Sequence, residues 1–113
     1  MLERLLGRAT TSPAELQQRL EDRQVTVIDV NSRESWLHAH VPGARHLDPV
    51  TFSASDLPPD RASPLVFYCA NPICRKAPRA ARRAREMGYT NVTVMAAGIS
   101  GWLAQSRPTE RGA

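Results

Sequence analysis

A chain of 113 residues, 42% of them apolar, has the size and composition of one domain around one buried core, and leaves no room for two. Its formal charge of +4 is unevenly spread: Arg75, Lys76, Arg79, Arg82, Arg83 and Arg85 stand together with no acid between them, and the remainder is slightly acidic. No apolar stretch approaches a bilayer span, and the opening MLERLLG carries Glu3 and Arg4, so neither a membrane segment nor a secretory leader is expected and a cytoplasmic setting is.

Ser12-Pro13-Ala14-Glu15 offers a capping hydroxyl, a proline at the first helical position and a glutamate at the third, which predicts a helix from Pro13 to about Asp22 with Leu16 and Leu20 inward. Val25 to Val30 is β-branched and nearly all apolar, as a parallel strand covered on both faces is, with Asp29 the exception that needs a partner in a backbone N–H or Arg33. Ser32 caps a short helix over Arg33 to Ala39, Val41-Pro42-Gly43 turns the chain, and a brief strand follows near Ala44 to Leu47. Residues 48–63 are rich in Pro, Ser and Asp and predict a short helix near Pro49 to Ser53, then surface loop.

Leu65 to Cys69 predicts a second buried strand and Pro78 to Met87 a second long helix, joined by a loop over Ala70 to Ala77. Ala77, Ala80, Ala81 and Ala84 form a small-residue stripe that lets this helix lie close on a sheet. Val92 to Met95 gives another strand, Ala97-Gly98 a turn, and Ile99 to Gln105 a last short helix. Such alternation predicts an α/β domain with a mainly parallel sheet, in which ligands bind at the carboxyl ends of strands, where Cys69 falls.

Cys69 and Cys74 are too few for a secreted disulfide framework and wrongly spaced for a C-x-x-C metal half-site. Reactive thiols and small buried apolar residues both remain open readings. A thiolate is the nucleophilic form. Backbone N–H groups curling around Cys69, a helix start and Arg75 with Lys76 would each favour that form and draw an anionic substrate.

Asp29-Val30, Glu34 and His40-Val41-Pro42-Gly43-Ala44, followed by Gly88-Tyr89, Asn91-Val92, Ala97-Gly98-Ile99 and Trp102, resemble the two signatures of the rhodanese-like family, over a stretch from about Pro13 to Trp102. The resemblance implies a five-stranded, mostly parallel sheet with helices on both faces and a catalytic cysteine placed as Cys69 is. It implies a thiolate that takes sulfane sulfur from a donor such as thiosulfate, becomes a persulfide, and passes the sulfur to a thiophilic acceptor. The chain departs from the pattern at Asn31, where the family has Arg, and at Ala39 and Ala97, where it has Gly. The loop Cys69-Ala70-Asn71-Pro72-Ile73-Cys74-Arg75-Lys76 counts about two residues longer than the family's C-R-x-G-x-R-S.

Two other classes account for the same loop. Cys69 and Arg75 satisfy the C-x-x-x-x-x-R spacing of cysteine phosphatases and arsenate reductases, though Tyr68 replaces the expected His, Pro72 removes a backbone donor and Ala77 supplies no hydroxyl. Alternatively the domain is a redox-sensing or non-catalytic module using Cys69 and Cys74. Nucleic-acid contact by the arginine helix is disfavoured because no aromatic residues interleave with it.

The expected domain therefore runs over residues 12–105, with an N-terminal extension over 1–11 and a frayed tail over 106–113. Cys69 is the expected nucleophile, the loop Ala70, Asn71, Pro72, Ile73, Cys74, Arg75 and Lys76 the anion cradle, Arg75 the substrate-steering side chain, and Cys74 a candidate resolving thiol. No metal or organic cofactor is implied. His38 and His40 fall on different faces of a short helix, His40 reads as structural, and Trp36 and Trp102 read as packing. The expected partners are a small anionic sulfur donor, a thiol or cyanide acceptor and, at most, a sulfur-relay protein.

Overall fold

The computed structural model describes residues 10–113; the opening MLERLLG lies outside them. In chain order come α1 (Pro13–Glu21), β1 (Thr26–Asp29), α2 (Arg33–His38), β2 (Arg45–His46), a 3-10 turn (Ala54–Asp56), β3 (Leu65–Tyr68), α3 (Lys76–Glu86), β4 (Val92–Val94) and α4 (Gly98–Ala104). The strands form one sheet in the order β2-β1-β3-β4, every pairing parallel. Among the described residues the sheet thus has four strands, not five. Beyond them, Thr10 makes a single parallel bridge to Val94 on the free edge of β4.

Period-two alternation sends the side chains of each strand to opposite faces. Ile28, Leu65, Phe67 and Cys69 meet the alanine stripe of α3 on one face, while Val27, Val66 and Tyr68 meet Leu16 of α1 and Trp102 of α4 on the other. The alanines Ala77, Ala80, Ala81 and Ala84 are buried, as their spacing requires. The fold is therefore the expected α/β layering, with helices on both faces.

Helix α1 starts at the expected capping box: Ser12 Oγ accepts from Glu15 N and Glu15 Oε1 accepts from Ser12 N. Three expectations are corrected. No helix forms at Pro49 to Ser53; Asp48 Oδ1 instead accepts from the amides of Val50 and Thr51 and holds a turn, and the 3-10 turn comes later, at Ala54–Asp56. Helix α3 begins at Lys76, two residues before Pro78, because a proline is tolerated in a helix's first turn, where its missing N–H would have had no partner.

The tail after Gln105 is not frayed. His40 and Glu110 exchange backbone hydrogen bonds at 3.0 and 2.9 Å, Gly112 N donates to Leu37 O, and Trp102 Nε1 donates to Pro108 O at 2.7 Å. Glu110 Oε1 also accepts from Gly43 N at 2.8 Å. Among the described residues no helix is long and apolar enough to cross a membrane.

Candidate functional site

In the order β2-β1-β3-β4 the chain's direction of travel across the sheet reverses between β1 and β3, and the carboxyl ends of strands at such a point are where open α/β sheets bind ligands. Cys69 is the first residue after β3, 2% exposed, with its side chain toward α3. The amide of Ala77, in the first turn of α3, donates to Cys69 Sγ at 3.4 Å. The sulfur occupies the place a capping side chain would take, since Arg75, at the cap position, makes no side-chain cap bond. Cys69 Sγ donates to the carbonyl oxygen of Cys74 at 3.6 Å.

The loop is held at both its ends. Asn71 Oδ1 accepts from the amides of Ile73 and Cys74 at 3.0 and 3.1 Å, a turn that the Asn71-Pro72 pair signals in the sequence. The carbonyls of Cys69 and Ala70 accept from Ile99 N and Ser100 N at 3.0 Å each, so the loop satisfies the free amides at the start of α4. Gly98, at φ +65°, lets the two approach: a Cβ there would stand 2.6 Å from Ala70 C and Asn71 N. In the sequence Gly98 reads as a turn with Ala97 and as part of a resemblance, not as a point of close approach, and Asn71 reads as a cradle residue, not as the turn that shapes it.

This arrangement narrows the expected cradle. Pro72 has no amide and those of Ile73 and Cys74 are engaged by Asn71, so donors do not line the loop continuously from Ala70 to Lys76. A phosphate would need several of those amides at once. Cys69, Asn71, Pro72, Cys74 and Arg75 do converge on one pocket of about 270 Å³, closed by Ala77, Pro78, Arg85, Met95 and the bridge residue Thr10. Ile73 points away, 86% exposed.

The electrostatics also differ from expectation. Burial pushes the Cys69 thiol up to about 11, and its hydrogen bond to Cys74 adds to this; the Ala77 and Ala70 amides pull the other way and lose. For Cys74 burial raises as well, but the hydrogen bond from Cys69, the amides of Ala70 and Lys76 and the Lys76 charge outweigh it and leave this thiol below its ordinary value. In the resting protein Cys74 is the readier thiolate. Arg75 is exposed and does not figure among the influences on either sulfur.

Part of the basic cluster is structural. Arg83 donates to Pro49 O and Phe52 O with its guanidinium over the Phe52 ring, and Arg85, though exposed, donates to Val92 O; Arg75, Lys76, Arg79 and Arg82 are exposed as well. Asp29 is fully buried opposite Tyr68; its Oδ1 accepts from Asn31 N, its Oδ2 has no hydrogen-bond partner, and Arg33 lies over Trp36 instead. His40 stacks on Trp36 and bonds its backbone oxygen, the structural use expected of it, while His38 is exposed.

The chain matches the Rhodanese-like domain family over residues 12–105. It is 35% identical over 103 residues to the HTH-type transcriptional regulator Rv0324 of Mycobacterium tuberculosis, covering 88% of this chain and 44% of that protein, so it spans less than half the length of this relative. Its structure is similar to that of the BH2092 protein from Bacillus halodurans, with a TM-score of 0.86 at 21% identity over 97% of this chain and 80% of that one. The human single-domain sulfurtransferase TSTD1 is similar at a TM-score of 0.73 and 24% identity, over 86% of this chain and 96% of that one. At these identities the structures speak for the fold. The family match runs from the cap of α1 to the end of α4 and leaves no strand of the sheet outside it: this chain belongs to the rhodanese-like domain family.

Proposed function

We propose that this domain carries sulfane sulfur as a persulfide on Cys69, taking it from a small anionic donor of the thiosulfate or persulfide type and passing it to a thiol or cyanide. The observation that carries the reading is the seat of Cys69: a buried sulfur at the end of a central strand, bonded by the first turn of α3 and opening on a pocket of about 270 Å³. In the reaction Cys69 gives up its proton. Its sulfur then attacks the outer sulfur of the donor; with thiosulfate, a new S–S bond forms, the donor's S–S bond breaks, and sulfite leaves with the electron pair. The Ala77 amide at the start of α3 favours the negative sulfur that remains. The exposed Arg75 and Arg85, which line the pocket, suit an anionic donor, and the exposed Lys76, Arg79 and Arg82 of α3 suit an acidic relay protein as acceptor.

Intact mass and sulfite release on incubation with thiosulfate test this: release of sulfite with at least a transient gain of about 32 Da, both lost in Cys69→Ser, is expected. A wild type that neither gains this mass nor releases sulfite would end the proposal. A second reading, as a sensing module, is favoured by the contact between Cys69 and Cys74 and by the regulator among its relatives.

A further inference from the structure

We propose that Cys74 is a resolving thiol built into the loop, which discharges the Cys69 persulfide as hydrosulfide and closes a Cys69–Cys74 disulfide; the inference rests on the sulfur-carrier reading above. The loop holds Cys74 against the site. Its amide is fixed by both the side chain and the carbonyl of Asn71, at 3.1 and 3.2 Å, and its own carbonyl oxygen lies 3.6 Å from Cys69 Sγ. The Cys69 and Ala70 carbonyls are fastened to α4, so the two cysteines are presented to each other by backbone that is tied on both sides. Both line the same pocket, and Cys74 is therefore beside the space that a sulfur added to Cys69 enters.

Access points the same way. Cys69 is 2% exposed, whereas Cys74 is partly exposed, so an acceptor from solution meets Cys74 before it reaches Cys69. Lys76 and the neighbouring amides favour the thiolate of Cys74, which is the attacking form in thiol–disulfide exchange.

The chemistry closes without an outside oxidant. In the loaded protein Cys69 Sγ carries a terminal sulfur. The Cys74 thiolate attacks Cys69 Sγ, the Sγ–Sγ bond forms, the bond from Sγ to the terminal sulfur breaks, and its electron pair leaves on hydrosulfide. The sulfane sulfur is reduced by two electrons and the two cysteines are oxidised to a disulfide. A cellular thiol then reduces the disulfide and restores both groups. Left without an acceptor, the domain would pass through one cycle and stop, so the redox state of the loop records exposure to sulfane sulfur.

The experiment loads wild type and Cys74→Ser with thiosulfate, removes the excess, supplies no acceptor, and reads intact mass and free sulfide. Wild type is expected to settle about 2 Da below the reduced chain with about one sulfide released per chain. Cys74→Ser is expected to stop at a gain of about 32 Da, with sulfide at least about tenfold lower. A wild type that keeps the added sulfur on Cys69 or moves it to Cys74, equal sulfide from both proteins, or loss of loading in Cys74→Ser alone would each overturn the assignment. If neither protein ever takes up sulfur, the sulfur-carrier reading itself fails, and this inference with it. The wild-type arm stands whether or not the variant folds.

Discussion

Gly98 and Ala70 touch backbone to backbone: a Cβ on Gly98 would lie 2.6 Å from the Ala70 carbonyl carbon and 2.7 Å from its oxygen. Gly98 also sits at φ +65°, which L-residues with a side chain adopt only at a cost. Gly98→Ala should therefore lower stability by about 2 kcal/mol or more, from strain and clash together. Urea denaturation measures this. The same variant should also slow sulfur uptake, because the loop that carries Cys69 must shift to make room.

Alkylation should reveal the order of the two thiols. With Cys69 pushed up to about 11 and Cys74 held below its ordinary value, limiting iodoacetamide at pH 7 to 8 should label Cys74 first. Labelling of Cys69 should climb steadily toward pH 11. Peptide mapping gives the order, and faster modification of Cys69 at neutral pH would contradict it.

Arg75 and Lys76 should behave differently although adjacent. The Lys76 charge is among the influences that lower Cys74 and Arg75 is not, so Lys76→Ala should slow Cys74 alkylation at pH 7 more than Arg75→Ala does. Arg75→Ala should instead weaken uptake of an anionic donor, since Arg75 lines the pocket. An unchanged donor dependence would remove Arg75 from the site.

Asp29 should make the protein less stable as pH rises. Its carboxyl is pushed up chiefly by burial, only partly offset by the nearby Tyr68 hydroxyl and by Asn31, so the folded state binds the proton more tightly than the unfolded chain does. The stability this gives is complete below the unfolded carboxylate pKa of about 3.9 and is lost as pH rises through the folded one. Asp29→Asn keeps an oxygen for the Asn31 amide and removes the charge. Its Tm should exceed that of wild type at pH 7, with the gap closing toward pH 4. A lower Tm at pH 7 would mean that the charge has a partner.

Truncation after Gln105 should be costly. The Trp102 indole N–H would lose Pro108 O, and His40 would lose both backbone bonds to Glu110. Leaving a buried donor unpaired costs about 1–3 kcal/mol, so a Tm lower by at least about 4 °C is expected in a thermal melt.

The sheet was legible in the sequence because its strands are short apolar runs and its helices carry caps and stripes, as at Ser12 and at Ala77 to Ala84. The tail was not legible: SRPTERGA is polar, and it is held by backbone pairing to His40, which leaves no trace in composition. The position of Cys69 at the end of β3 is legible from the apolar run before it. The direction of its pKa differs from the expectation, because the sequence displays nearby cations and a second cysteine but not burial, and here burial with the Cys74 contact outweighs the helix start. The narrower cradle was missed for a similar reason. Asn71 reads as one more loop residue until its side chain is seen to occupy two amides.

The bonds from Cys69 and Ala70 carbonyls to Ile99 and Ser100 make two amides about thirty positions away into a gauge of the loop. Any event that redraws the loop, whether sulfur loading or a disulfide, has to let go of those amides or drag them with it. Deuterium uptake at Ile99 and Ser100 would then change while the amides of β3 stay protected. A chemical change confined to one sulfur would in this way be passed to the start of the last helix as a mechanical one.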